Sequence, residues 1–259
     1  MTEATPWIAL TRDISPALQD CELTHLAREP IDVGRARSQH EAYEQALAGM
    51  GCAVHRLPAG EEMPDSVFIE DTAVVLDEVA VITRPGAPSR RAETPAVADA
   101  LAAYRRLVRI EAPARLDGGD VMVVDRTLFV GRSERTNMTG IRQLRDALRR
   151  YGYTVQAVPV NGCLHLKTAV TCVGDGRLLI NRDWVPADAF AGFELIDVDA
   201  DEPFAANALR IGGRILYPAD FPRTRERLEA RGMEIVAVSA DELAKAEGAV
   251  TCCSLVFRA

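Results

Sequence analysis

The chain has 259 residues, 48% of them hydrophobic and 26% charged, which excludes a disordered chain and allows a sizeable buried core. A formal net charge of −8 argues against nucleic acid as a partner, because counterion release needs a basic face, and favours a small cationic molecule. Met1 to Pro6 carry no basic, apolar leader pattern and nowhere do 18 apolar residues run together, so the expectation is a cytoplasmic protein with no membrane partner.

In chain order, Trp7 to Thr11 reads as a strand, and the polar stretch from Asp13 to Arg35 that follows has the length of a lid or binding loop. Helix Ala36 to Met50 and strand Ala53 to Leu57 come next. Ala73 to Thr83 reads as a hairpin turning at Asp77-Glu78, followed by helix Ala92 to Tyr104 and strand Leu107 to Ile110. The same order recurs as strand Val121 to Val124, strand Thr127 to Gly131, helix Thr139 to Tyr151 and strand Thr154 to Val158. A third unit starts at Ala169, with a turn at Gly174-Asp175-Gly176 and strand Leu178 to Asn181. The fourth starts at Ala208, turns at Gly212-Gly213 and continues through helix Arg223 to Arg231 into strand Glu234 to Val238. Strand Leu255 to Arg258 has no local partner, and joining it to Trp7 to Thr11 completes a fifth unit. The expectation is one closed, five-fold pseudosymmetric α/β domain over residues 1–259, because pairing the two chain ends removes the open sheet edges.

A polar residue stands just before the first strand of each unit: Asp71, Asp117, His165, Asn207 and Cys252, at intervals of 42 to 48 residues. Equivalent positions of a ring converge on its axis, so these five are expected together. Taken singly, each has a plainer reading. Cys252 and Cys253 sit in an apolar stretch where free cysteine is usually a small buried hydrophobe, and strand alternation lets only one face a cleft. His165 lies between leucines, as satisfied core histidines do, and Asp117-Gly118-Gly119-Asp120 reads equally as a solvated turn. Asp65, Glu70 and Asp71 flank an apolar core in Pro64-Asp65-Ser66-Val67-Phe68-Ile69-Glu70-Asp71, and Arg90, Arg91 and Arg135 follow second strands, where an arginine reaching a cleft can bind a carboxylate bidentately. The six cysteines show no Cys-Xaa-Xaa-Cys spacing, so neither structural zinc nor a disulfide framework is expected, and no cofactor is implied.

With these stretches assembled, together with Ile82 to Arg91, Leu164-His165-Leu166-Lys167-Thr168 and Thr251-Cys252-Cys253-Ser254, the sequence resembles the dimethylarginine dimethylaminohydrolases over nearly its whole length. These are guanidino-group-modifying enzymes with a five-bladed α/β-propeller. The resemblance implies hydrolysis of dimethylarginine to citrulline and dimethylamine, with Cys252 as nucleophile, His165 as acid/base, Asp117 and Asp71 holding the guanidinium and Glu70 supporting them. It further assigns Arg90 and Arg135 to the substrate carboxylate, Asp65 and the carbonyl near Ala246 to its α-amino group, and a lid leucine, Leu18 or Leu23, to cover it. Arginine deiminases and amidinotransferases carry an aspartate two residues after the histidine, where Lys167 stands here, and Lys167 itself is expected to be dispensable. An arginine deiminase-like or other alkylguanidine hydrolase, a silent module binding a cationic amino acid, and a metal site on Cys252, His165 and Asp117 are the rival readings. A homodimer is compatible with all of them.

Overall fold

The structure is a computed structural model and describes residues 6–259. Met1 to Thr5, part of the stretch read above as lacking a leader, lie outside the described residues. Fifteen strands form five three-stranded sheets among the described residues. They are β1 (Trp7–Arg12), β2 (Cys52–Leu57), β3 (Ala73–Val75), β4 (Val79–Ile82), β5 (Arg106–Arg109), β6 (Val121–Val124), β7 (Thr127–Arg132) and β8 (Thr154–Pro159), then β9 (Val170–Gly174), β10 (Arg177–Ile180), β11 (Glu194–Asp197), β12 (Leu209–Ile211), β13 (Arg214–Pro218), β14 (Glu234–Val238) and β15 (Ser254–Arg258). Blades 1 to 4 are the consecutive triplets from β3 to β14, and blade 5 is β15-β1-β2. In every blade the inner pair is antiparallel and the outer pair parallel. Pairing of Trp7 with Arg258 through Thr11 with Ser254 closes the ring as the sequence predicts.

The middle strands explain why the sequence reads as apolar runs. Alternate residues of one strand point to opposite faces, and here each face of a blade meets a neighbouring blade. Thus Ile8 and Leu10 pack between blades 5 and 1 while Ala9 packs between blades 5 and 4. Val79 and Val81 face blade 2, Ala80 and Ile82 face blade 5. Leu128 and Val130 against Phe129, Leu178 and Ile180 against Leu179, and Ile215 and Tyr217 against Leu216 divide in the same way. The core is therefore five wedges, and both faces of every middle strand are buried.

Helices bridge the parallel pairs. Helix α1 (Val33–Gly49) starts three residues earlier than predicted because the Asp32 side chain caps it, accepting from Arg35 N–H at 3.0 Å. Helix α2 (Thr94–Leu101) is shorter than predicted: Pro95 belongs in a first turn, and Pro88–Glu93 before it form a 3-10 helix. Helix α3 (Met138–Leu148) is capped by Asn137, a short α4 (Leu166–Ala169) follows His165, and α5 (Pro222–Glu229) serves blade 4. Blade 3 has only a 3-10 turn, Ala187–Phe190, where the others carry a helix. The inner strands enclose an axial cavity of about 330 Å³, lined by Ala73, Val121, Thr171, Cys172, Arg210 and Val256 among others. No helix among the described residues is long and apolar enough to cross a membrane.

Candidate active site

At one end of the axis, four of the five residues singled out by spacing come together. Asp117 Oδ2 lies 3.1 Å from His165 Nε2, and Asp71 Oδ1 lies 3.8 Å from His165 Nδ1. His165 is 4% exposed and Asp117 fully buried. Burial pulls the imidazole pKa down, but Asp71, Asp117 and Asp120 outweigh it and hold it up at about 9. The imidazolium and Arg90 in turn overcome the burial that would raise Asp71, leaving its carboxyl below the usual range. Cys252 faces the same cleft, its thiol pushed up to about 12 by burial and by the Glu70 and Asp71 carboxylates.

Two glycines make this packing possible. A Cβ on Gly119 would stand 2.6 Å from His165 Nδ1 and 2.7 Å from Asp71 Oδ1, and one on Gly118 would stand 2.0 Å from the Glu70 carbonyl oxygen. The Gly119 N–H also donates to Asp71 Oδ1 at 2.9 Å. Asp117-Gly118-Gly119 is thus the close-approach form of the motif and not the solvated turn.

Several expected roles change with the geometry. Asp117 stands behind His165, its other oxygen accepting from Gly86 N–H at 2.7 Å, so it orients the imidazole, and only Asp71 of the proposed carboxylate pair lines the cleft. Glu70 faces the axial cavity, where it pairs with Lys167 and accepts from the Thr251 hydroxyl at 2.8 Å. Removing Lys167 would leave that carboxylate buried and unpaired, so Lys167 is not the neutral marker the sequence suggests. Arg90, 4% exposed, gives Nη1 to Asp71 at 2.5 Å and two donors to Glu93 at 3.1 and 2.9 Å, with Nη2 also donating to the Phe68 carbonyl at 2.9 Å. Its first task is to hold Asp71. Arg135 makes one side-chain hydrogen bond, to Thr24 Oγ1 at 2.9 Å, and Asp65 accepts Glu22 N–H at 3.1 Å. Asp65, Arg90, Arg135 and Ala246 all line the cleft.

Cys252 and Cys253 sit in a turn before β15 instead of on the strand, yet they divide as expected: Cys253 is 2% exposed and packs in the core, while Cys252 opens to the cleft. All six cysteines are free. Asp71, Asp117 and His165 also place ligand atoms within 4.8 Å of one another, a donor set from which Cys252 is absent.

The segment before α1 closes over the cleft. Glu247, in a left-handed backbone conformation (φ 59°), accepts N–H bonds from Thr24, His25 and Leu26 at 3.0, 2.5 and 2.7 Å. Leu18 is fully buried in the core and Leu23 packs against the same core cluster, between Glu22, which touches Asp65, and Thr24, which touches Arg135. The cleft retains about 10 Å³, room for roughly one water molecule. Glu93, Asp120 and Glu247 escaped sequence reading. Asp120, pushed up to about 6 by burial, holds Leu166 N–H and the Ser133 hydroxyl, and Glu93 neutralises Arg90. The only sequence signal was position: Asp120 closes the Asp-Gly-Gly-Asp motif and Glu93 stands three residues after Arg90.

The family described as N,N dimethylarginine dimethylhydrolase, eukaryotic, matches residues 26–257. The chain belongs to the dimethylarginine dimethylaminohydrolase family. A curated member from Streptomyces coelicolor is 43% identical, covering 96% of each chain, and one from Pseudomonas aeruginosa is 36% identical over 90% of this chain and 92% of its own. A solved structure of the Pseudomonas aeruginosa family member, a cysteine-to-serine variant with citrulline, superposes with a TM-score of 0.92 at 34% identity, covering 98% of this chain and 100% of that one. The N-terminal domain of a cyanobacterial arginine dihydrolase shares the fold at 18% identity and a TM-score of 0.83.

Proposed function

We propose that this chain hydrolyses Nω-methylated arginine to L-citrulline and methylamine or dimethylamine through a thiouronium on Cys252, with residues 1–259 acting as one catalytic unit. The observation that carries the reading is an imidazolium held between Asp117 and Asp71 beside a cleft cysteine, in a chain of this family.

A guanidinium is delocalised and a poor electrophile, so it must be held in line with the nucleophile. Asp71 is the carboxylate placed to hold it. The Cys252 thiolate adds to the central carbon, the tetrahedral adduct collapses, and His165 passes its proton to the departing amine. The neutral His165 then takes a proton from water as it attacks the thiouronium carbon, collapse returns the thiolate, and the hydroxyl proton left on the new urea is lost to solvent as citrulline is released. Asp117 keeps His165 oriented in both steps. Arg135 suits the substrate carboxylate, with Arg90 behind it, and Asp65 and the Ala246 carbonyl suit the ammonium. Glu70 supports Asp71 from the next position, without touching substrate. No step calls on a cofactor or metal.

The cleft is too small for an amino acid, so the Asp13–Arg35 segment must lift for entry. Free cysteines throughout fit a reducing, cytoplasmic setting, and a homodimer remains compatible with the reading. Product analysis by mass detection tests it: dimethylarginine yields citrulline and dimethylamine, turnover survives a strong chelator, Cys252→Ala abolishes it and Cys253→Ala retains most of it. Ammonia released from arginine in place of dimethylamine from dimethylarginine would transfer the assignment to a deiminase.

A further inference from the structure

Asn207 is the one axial residue to which neither the spacing nor the family gives a task. It precedes β12 and is 2% exposed. Its carboxamide makes three hydrogen bonds: Oδ1 accepts from Thr251 N–H at 3.0 Å, and Nδ2 donates to the Lys167 carbonyl and to Thr251 Oγ1, each at 3.0 Å. The Thr251 hydroxyl donates in turn to Glu70 Oε2 at 2.8 Å, and Glu70 Oε1 pairs with the Lys167 ammonium. Glu70 N–H donates to the Cys252 carbonyl at 3.1 Å. These contacts form a closed loop through blades 1, 3, 4 and 5. Each member adjoins a residue of the active site: Thr251 precedes Cys252, Lys167 follows His165 by two, and Glu70 precedes Asp71.

We propose that Asn207 is a positioning residue, which sets the separation between the nucleophile segment and the histidine segment by tying Thr251 to the Lys167 carbonyl. The loop needs one acceptor and two donors at a single point, which a carboxamide supplies. Aspartate keeps the acceptor, lacks both donors and adds an anion near Glu70. Glutamine displaces the amide by a methylene. The fourth blade, which gives the reaction no reacting group, thereby supplies the strut between the two blades that do. The effect falls on the chemical step, because the hydrogen bonds of Asn207 run to Lys167 and Thr251 and to none of Asp65, Arg135 and Ala246 at the amino-acid end.

The inference rests on the proposed roles of Cys252 and His165, and two arms separate its fate from theirs. The first needs no substrate: the His165 imidazole is titrated by NMR in the wild type, Asn207→Ala and the milder Asn207→Ser. The ring is faced by Asp71, Asp117 and Asp120, so a displaced histidine segment lowers its midpoint, by roughly half a pH unit or more. The second arm is turnover of methylated arginine. The expected result is kcat reduced roughly 10- to 100-fold with KM changed by less than about threefold. An unmoved His165 midpoint in the folded variants, or kcat within about twofold of wild type, overturns the positioning role. If Asn207→Ala does not fold, Asn207→Ser decides. A wild-type chain that releases no amine defeats the proposed function and leaves the titration to judge Asn207.

Discussion

At neutral pH the two reacting groups start from unequal positions. His165, held at about 9, is already the acid that a departing amine needs, whereas Cys252, at about 12, is a thiol and must become a thiolate. Burial and the Glu70 and Asp71 carboxylates oppose that ionisation, and a bound cation in contact with Asp71 would offset them. The iodoacetamide alkylation profile of Cys252 should therefore move to lower pH when a non-reactive cationic substrate analogue is bound, and a profile that stays in place would rule out substrate-assisted activation. His165 makes a second, opposite-signed statement. Its folded value lies above the ordinary 6.5, so its contribution to stability is fully present below pH 6.5 and is lost as pH rises through about 9. In urea titrations, the stability of the wild type relative to His165→Gln should decline by on the order of 3 kcal/mol between pH 6.5 and 10. A difference that is flat with pH would mean that the carboxylates do not hold the proton.

Among the elements, legibility followed locality. The hairpins and their helices were readable because each middle strand is apolar on both faces and each turn carries its own punctuation. Blade 3 was only half readable: Ala187–Phe190 is a single turn, too short to show a helical period, so its outer strand Glu194–Asp197 lacked a flag. Cys252, His165, Asp117 and Asp71 were legible through their spacing, but the division of labour between Asp117, behind the imidazole, and Asp71, in the cleft, was not. Which carboxylate faces substrate depends on the close approach at Gly118 and Gly119, where two readings of the same dipeptide competed. Glu93, Asp120 and Glu247 acquire partners only after folding, and an isolated acidic residue reads as a solvated one. Replacing Gly119 by alanine should displace His165 or Asp71, with kcat falling on the order of 100-fold while the far-UV circular dichroism is retained. Full activity in that variant would show that the loop yields where the packing says it does not.

For the molecule as a whole, the ring has no preferred first blade. The blade that presents the nucleophile is stitched from both ends of the described chain, Trp7 lying opposite Arg258, and Cys252 stands two residues before that seam. Circular permutation follows from this. Linking the two ends and reopening the chain at the exposed Gly212-Gly213 turn would convert the seam into an ordinary covalent hairpin and leave every active-site contact in place. Such a permutant should keep its kcat, as steady-state kinetics would register, since the seam only moves from the β15–β1 pair to the β12–β13 pair and every pairing of the ring is retained. Deleting β1, a strand with no catalytic group, should instead silence Cys252.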